Sequence, residues 1–117
     1  MTTSEPVVIV AYDPAWPARF ETAACELRET VGALLVAIEH VGSTAVPGLA
    51  AKPIIDMMAF VPRFEDGFTT VAPLVARGWE SLGEYGIPGR HYFRRRRGGR
   101  ATHHLHMFGV DPQHPRP

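Results

Sequence analysis

Glu39-His40-Val41-Gly42-Ser43-Thr44-Ala45-Val46-Pro47-Gly48-Leu49-Ala50-Ala51-Lys52-Pro53-Ile54-Ile55-Asp56-Met57-Met58 is the stretch on which the reading of this chain turns. It opens at the end of a short β-branched run, Ile38 to Val41, which reads as a strand. A loop of small residues follows, punctuated by Gly42 and Gly48. Pro53 to Val61 is then a second apolar run, interrupted by a single charge, Asp56, and ended by Pro62. A Gly-Ser turn leaving a strand presents backbone N–H groups and a hydroxyl at close range, and a Cβ at the glycine would block the approach of a phosphate. Gly42, Ser43 and Thr44 are therefore candidate phosphate contacts. An aspartate on the next strand can hold a metal ion against those phosphates. A carboxylate in an apolar strand is costly without a partner. For Asp56 that partner is a metal, Lys52, Arg94 or a backbone donor; an ion pair with Lys52 or Arg94 and no ligand is the plainer alternative.

Upstream, Val7 to Ala11 reads as a buried strand. Asp13 and Pro14 then suit an N-cap and the first turn of a helix. From about Ala15 to Val36, apolar residues recur at three- and four-residue steps (Trp16, Phe20, Ala23, Ala24, Leu27, Val31, Leu34, Leu35), giving one apolar helix face. Downstream, Phe64 to Arg77 reads as a second helix that Pro73 must kink or split. Trp79 to Leu82 is extended, and the glycine- and proline-containing segment from Gly83 to Gly89 is a loop. His91–Arg96 and Thr102–Val110 form a hairpin about Gly98-Gly99. In its last strand, alternation puts Leu105 and Met107 toward the core and His104 and His106 on the opposite face. If Phe93 is core, Arg94 joins the two histidines. Two histidines at this spacing can bind a metal, contact phosphate or move protons, or simply pack as polar groups. The order of elements favours a single α+β domain, a sheet with helices on one face and the other face open.

Composition sets outer bounds. The chain has 117 residues, 45% of them hydrophobic and 21% charged, as in an ordinary globular domain. Its one cysteine, Cys25, excludes an internal disulfide and a cysteine-based zinc cluster. No apolar run approaches the ~20 residues of a membrane span, and no secretory leader is evident, so the expectation is a cytoplasmic domain with no membrane partner. The zero net charge conceals a split: residues 1–89 carry five basic and eleven acidic side chains, whereas residues 90–117 carry seven arginines and only Asp111. Such a stripe suits an anionic ligand, or is a solvated basic hairpin. Nucleic acid is disfavoured, because aromatic residues apart from Tyr92 and Phe93 are not interleaved with the arginines. Lys52, the only lysine beside eleven arginines, suggests a site where a compact point charge is wanted, or a snorkelling surface lysine.

Taken together, Tyr12-Asp13-Pro14-x-Trp16-Pro17, the Glu39–Leu49 segment, Lys52-Pro-Ile-Ile-Asp56, Gly86-Ile-Pro-Gly-x-x-Tyr92-Phe93-Arg94 and His103-His-Leu-His106 resemble the GrpB-like family. That family belongs to the nucleotidyltransferase fold superfamily and also occurs fused to bacterial dephospho-CoA kinase. The resemblance implies a mixed sheet backed by helices, with a nucleotide-type site at the Gly42-Ser43 turn and the Asp56 strand. Active nucleotidyltransferases carry a second carboxylate two residues after the first; here that position is Met58. No acid lies between Glu84 and Asp111 to supply a third. Family members usually continue into further helices past the histidine strand, so residues 1–117 are expected to be one GrpB-like domain without them. Exposed apolar surface would then favour a homodimer. Two functions follow. In the first, an enzyme transfers or ligates a small molecule using a nucleotide such as ATP with Mg²⁺. Gly42, Ser43 and Thr44 meet phosphates, Lys52 and Arg94 neutralise charge, Asp56 holds the metal, and His104 or His106 handles the proton. In the second, a non-catalytic domain binds a nucleotide or another anion in an accessory role.

Overall fold

The computed structural model describes residues 8–110. Helix α1 (Trp16–Val31) begins one residue later than expected. Asp13 closes the preceding turn instead, its Oδ1 accepting the Ala15 N–H at 2.8 Å. The helix also stops earlier: beyond Val31 the chain tightens into a 3₁₀ turn over Gly32–Leu34, because glycine weakens the helical conformation there. The apolar stripe holds, with Trp16, Phe20, Ala23, Ala24, Leu27 and Val31 all buried.

Five strands follow: β1 (Ala37–Val41), β2 (Ile55–Val61), β3 (Glu80–Ser81), β4 (Arg90–Arg97) and β5 (Arg100–Gly109). They form one mixed sheet in the order β1-β2-β5-β4-β3. The central pair, β2 and β5, is parallel; β1 with β2, β5 with β4 and β4 with β3 are antiparallel. From β2 the chain runs through a 3₁₀ stretch at Phe64–Thr70 and helix α2 (Val71–Ala76) to β3 at the far edge of the sheet, then returns through β4 to β5. The expected second helix is thus split in two, and Pro73 sits in the first turn of α2, where its missing N–H is tolerated. Gly98 and Gly99 close the hairpin with φ of 58° and 79°, the paired left-handed conformations that a two-residue turn requires.

The first expected strand is corrected. Val7 lies outside the described residues, and of the remainder only Val10 pairs, in an isolated bridge to Ala51. Val8 and Ile9 are exposed, so this β-branched run does not join the sheet. The expected tail from Asp111 onward also lies outside the described residues.

Alternation divides the sheet cleanly. Ile55, Met57, Ala59, Val61, Phe93, Leu105 and Met107 meet Trp16, Phe20, Leu27 and Leu74 in the core beneath α1 and α2. Each fully buried side chain of this size stabilises the fold by roughly 1.5–3 kcal/mol relative to exposure. Asp56, Met58, Tyr92, Arg94, His104 and His106 are thereby turned to the other face. Among the described residues no helix is long and apolar enough to cross a membrane.

Candidate functional site

The cross-strand register builds the site. Asp56 on β2 is level with His104 on β5, which is level with Arg94 on β4; one step along, Met58, His106 and Tyr92 stand side by side. The Asp56 carboxylate is the meeting point. Its Oδ1 lies 3.4 Å from His104 Nδ1 and 3.7 Å from His106 Nε2. Burial pulls the Asp56 pKa upward, but the contacts from His104 and His106 outweigh it and hold the group down at about 2. Of the partners considered for Asp56, the plainer alternative of an ion pair with Lys52 or Arg94 does not form: among the described residues the side chains against its carboxylate are the two imidazoles.

The loop after β1 closes over this carboxylate. Gly42 has φ 74° and ψ −168°, a conformation accessible essentially to glycine alone. A Cβ there would sit 2.8 Å from Asp56 Oδ2 and 3.1 Å from Asp56 Cβ, so the glycine is also needed for close approach. Ser43–Ala45 then make a 3₁₀ turn. Ser43 is exposed at its start, whereas Thr44 is turned inward and buried. The Thr44 hydroxyl donates to the Ile54 carbonyl at 3.1 Å and accepts from His40 Nε2 at 3.0 Å. Its side chain thus ties the loop to the start of β2, and any contact with a ligand falls to its backbone. His40 stacks on Phe20, with ring centroids 4.9 Å apart, and burial lowers its pKa despite the pull of Asp56 and Glu21. Strand periodicity could not have disclosed this His40–Thr44 tie, which runs between a strand and its own loop.

Two cavities that share Lys52, Ile54 and His104 open on either side of this point. One, of about 240 Å³, is lined by Ser43, Thr44, Lys52, Asp56 and His104 among others. The second, of about 320 Å³, extends past His104 to Arg94, Arg100, Tyr85 and Tyr92. Together they form a cleft with a carboxylate at one end and cations along its length. Arg94 is not a free cation: its Nε lies 3.3 Å from Glu80 Oε1, and Arg96 grips the same carboxylate at 2.9 Å. Tyr85 stacks on Tyr92 at 5.3 Å, walling the cleft with aromatic surface. The sequence reading missed Tyr85, Tyr92 and Arg100 as lining groups, although Tyr92 shares the alternation that selected Arg94.

Every candidate residue except Gly42 and His106 lines one of the cavities; of these two, His106 stands 3.7 Å from the Asp56 carboxylate and Gly42 leaves no room for a Cβ beside it. His103 is on the core side, edge-on to Trp79, and burial pushes its pKa down to about 4. The donor set does not fit a resident Mg²⁺. Asp56 is the lone carboxylate, imidazoles already contact it, and Met58 stands where a second acid would be. Among the described residues no group of three His, Cys, Asp or Glu side chains is arranged to hold a metal ion.

The GrpB protein family model matches residues 6–116, and the chain belongs to that family. It is 39% identical over 102 residues to UPF0157 protein YqkA of Bacillus subtilis, covering 87% of this chain and 29% of that protein. It is 39% identical over 105 residues to UPF0157 protein PA4798 of Pseudomonas aeruginosa, covering 87% and 43%. A dephospho-CoA kinase of Mycolicibacterium paratuberculosis is 38% identical over 80 residues, 66% of this chain and 20% of that enzyme. The chain thus spans less than half the length of these curated relatives. Among solved structures, GrpB from Enterococcus faecalis superposes with a TM-score of 0.84 at 37% identity, over 91% of this chain and 64% of that one. The Cid1 poly(U) polymerase superposes with a TM-score of 0.53 at 13% identity, over 91% of this chain and 34% of that one, which establishes a nucleotidyltransferase-like fold.

Proposed function

We propose that the cleft beside Asp56 binds a nucleotide such as ATP and that the chain transfers a phosphoryl or nucleotidyl group from it to a small-molecule acceptor, with ADP or pyrophosphate leaving, either as the whole reaction or as the activating step of a ligation. The observation that carries this reading is the convergence of the Asp56–His104–His106 cluster and a cation-lined cleft on one open sheet face. The Ala45 and Val46 N–H groups are consumed by the Gly42 and Ser43 carbonyls. Phosphate contacts therefore fall to the Ser43 hydroxyl and to the first N–H groups of the turn. Lys52 and Arg94 neutralise phosphate charge, with Arg100 beyond them. His104, backed by Asp56, accepts the acceptor's proton. Chemistry of this kind is mostly positioning and charge stabilisation. Because the donor set does not fit a resident Mg²⁺, that ion enters only as the nucleotide's own counter-ion.

The test is thermal denaturation with ATP and other nucleotides, each with and without Mg²⁺. A ligand present at 100 times its Kd stabilises the folded state by about 2.7 kcal/mol, enough to raise Tm by several degrees in a domain of this size. Absence of any shift at millimolar nucleotide would refute the reading. Met58 favours a second one, a nucleotide- or anion-binding accessory domain, and the match to one-fifth of a dephospho-CoA kinase is in keeping with it. Binding without turnover, followed by ³¹P NMR over a panel of amine and carboxylate acceptors, would select this alternative.

A further inference from the structure

Arg90 opens β4 and is buried, with 6% of its surface exposed, an unusual place for a guanidinium. All three of its nitrogens are spoken for. Nε donates to the Glu84 carbonyl at 3.3 Å and Nη2 to the Tyr85 carbonyl at 3.1 Å. Nη1 lies 3.1 Å from His106 Nδ1. Its guanidinium carbon Cζ sits over the Tyr92 ring, 4.4 Å from the centroid. The loop that supplies the two carbonyls is itself fixed: Glu84 Oε2 accepts the Gly89 N–H at 2.8 Å, and Tyr85 is held at φ 51°, a left-handed conformation costly for a tyrosine.

Hydrogen-bond chemistry then decides how His106 is protonated around its ring. A guanidinium only donates, so His106 Nδ1 must accept and carries no proton. In the neutral ring the proton is on Nε2, the nitrogen 3.7 Å from Asp56 Oδ1. We propose that Arg90 is a positioning residue for the Asp56 cluster: aimed by the Glu84 and Tyr85 carbonyls, it locks His106 in the Nε2–H tautomer and so presents a fixed N–H to the Asp56 carboxylate. Function at Asp56 rests on the nucleotide-site reading above; the tautomer lock does not. The lock also separates two histidines that look equivalent in the sequence. Among the described residues no such cation is hydrogen-bonded to His104, which meets Asp56 through Nδ1 and lines both cavities. His106 serves as the fixed donor, and His104 is left to meet the ligand.

The experiment is long-range ¹H–¹⁵N NMR on ¹⁵N-histidine-labelled chain near neutral pH, with His106 assigned by His106→Gln. Wild type should show a single His106 tautomer, Nε2–H, with the Nδ1 resonance displaced as that of a hydrogen-bond acceptor. Arg90→Met should lose that displacement, and Arg90→Lys should restore part of it; His103, on the far face, is the internal control and should not move. Where Arg90→Met does not fold, the wild-type and Arg90→Lys spectra decide. An Nδ1–H tautomer in wild type, an even mixture, or an unchanged Nδ1 resonance in a folded Arg90→Met would each overturn the proposal. Nucleotide-induced thermal shifts on the same samples keep the two readings apart. No shift with an intact Nε2–H signature refutes the nucleotide site alone, and a shift with the wrong tautomer refutes the role of Arg90 alone.

Discussion

Gly42→Ala should damage both stability and the site, and Gly48→Ala provides the control. Both glycines have positive φ, 74° and 81°, so alanine is strained at each. They differ in their surroundings. An added Cβ at Gly48 meets nothing within 4 Å, whereas at Gly42 it would lie 2.8 Å from Asp56 Oδ2 and 3.1 Å from Asp56 Cβ. The carboxylate oxygens can rotate away, but the Asp56 Cβ is fixed to β2 and can yield only if the strand or the loop shifts. Backbone strain of this kind costs about 1–3 kcal/mol. Overpacking against a constrained neighbour adds a further ~1–3 kcal/mol. Gly42→Ala should therefore be less stable than Gly48→Ala by at least about 1 kcal/mol in urea denaturation with matched m-values. It should also shift the His104 and His106 ring resonances, since any rotation of Asp56 breaks its contacts with them. Equal stabilities for the two variants, or a large loss in Gly42→Ala with unmoved histidine resonances, would refute the claim that Gly42 is shaped to the carboxylate.

Asp56 also imposes a pH dependence. Its folded pKa of about 2 lies below the ordinary 3.8, so its contribution is present above pH 4 and is lost as pH falls toward 2. The difference corresponds to about 2 kcal/mol, reduced to nearer 1 kcal/mol for a group this open to solvent. Stability curves of wild type and Asp56→Asn should converge by that amount between pH 4 and pH 2, and parallel curves would count against it. On the core side, Arg95 donates to Glu26 Oε1 at 2.6 Å and to the Arg77 carbonyl at 2.7 Å, and lies over the Trp79 ring at 4.4 Å. Arg95→Ala should cost about 2 kcal/mol, read by urea denaturation; a change below about 0.5 kcal/mol would show the network to be ornamental. Met58→Asp supplies the missing second acid beside Asp56, so titration calorimetry should detect Mg²⁺ binding in the variant that is weak or absent in the parent. No gain would mean that the histidine contacts to Asp56, rather than Met58, exclude the ion.

The sheet face was legible because two independent patterns agreed. The apolar run around Asp56 and the alternation of His104, Leu105, His106 and Met107 each assigned a face, and the structure joins them in register. The hairpin was equally legible, since two consecutive glycines at that spacing have few other uses. Other features depended on contacts with no local signature. Val8 and Ile9 have strand composition but find only one bridge, through Val10. The sequence left the partner of Asp56 open among a metal, Lys52, Arg94 and a backbone donor, because cross-strand geometry, which gives Arg94 to Glu80 and the imidazoles to Asp56, has no local signature. Arg90 looked like one more member of a basic stripe; its burial and its bond to His106 follow from a loop whose carbonyls turn inward, which composition does not encode.

The parallel pairing of β2 with β5 has a consequence for how the site comes into being. The β4–β5 hairpin carries both histidines, but Asp56 reaches them only once the whole chain between β2 and β5 has closed, so no local hairpin can complete the cluster. The same pairing makes the chemistry hostage to the oil beneath it. A slip of one residue in β5 would turn His103, Leu105 and Met107 toward Asp56 and drive His104 and His106 into the core. Leu105 and Met107, fully buried against Phe93 and Met57, forbid that slip. The aim of the imidazoles is therefore set on the far side of the sheet, by side chains that never approach the ligand, and selection for a well-packed interior carries the alignment of the cleft along with it.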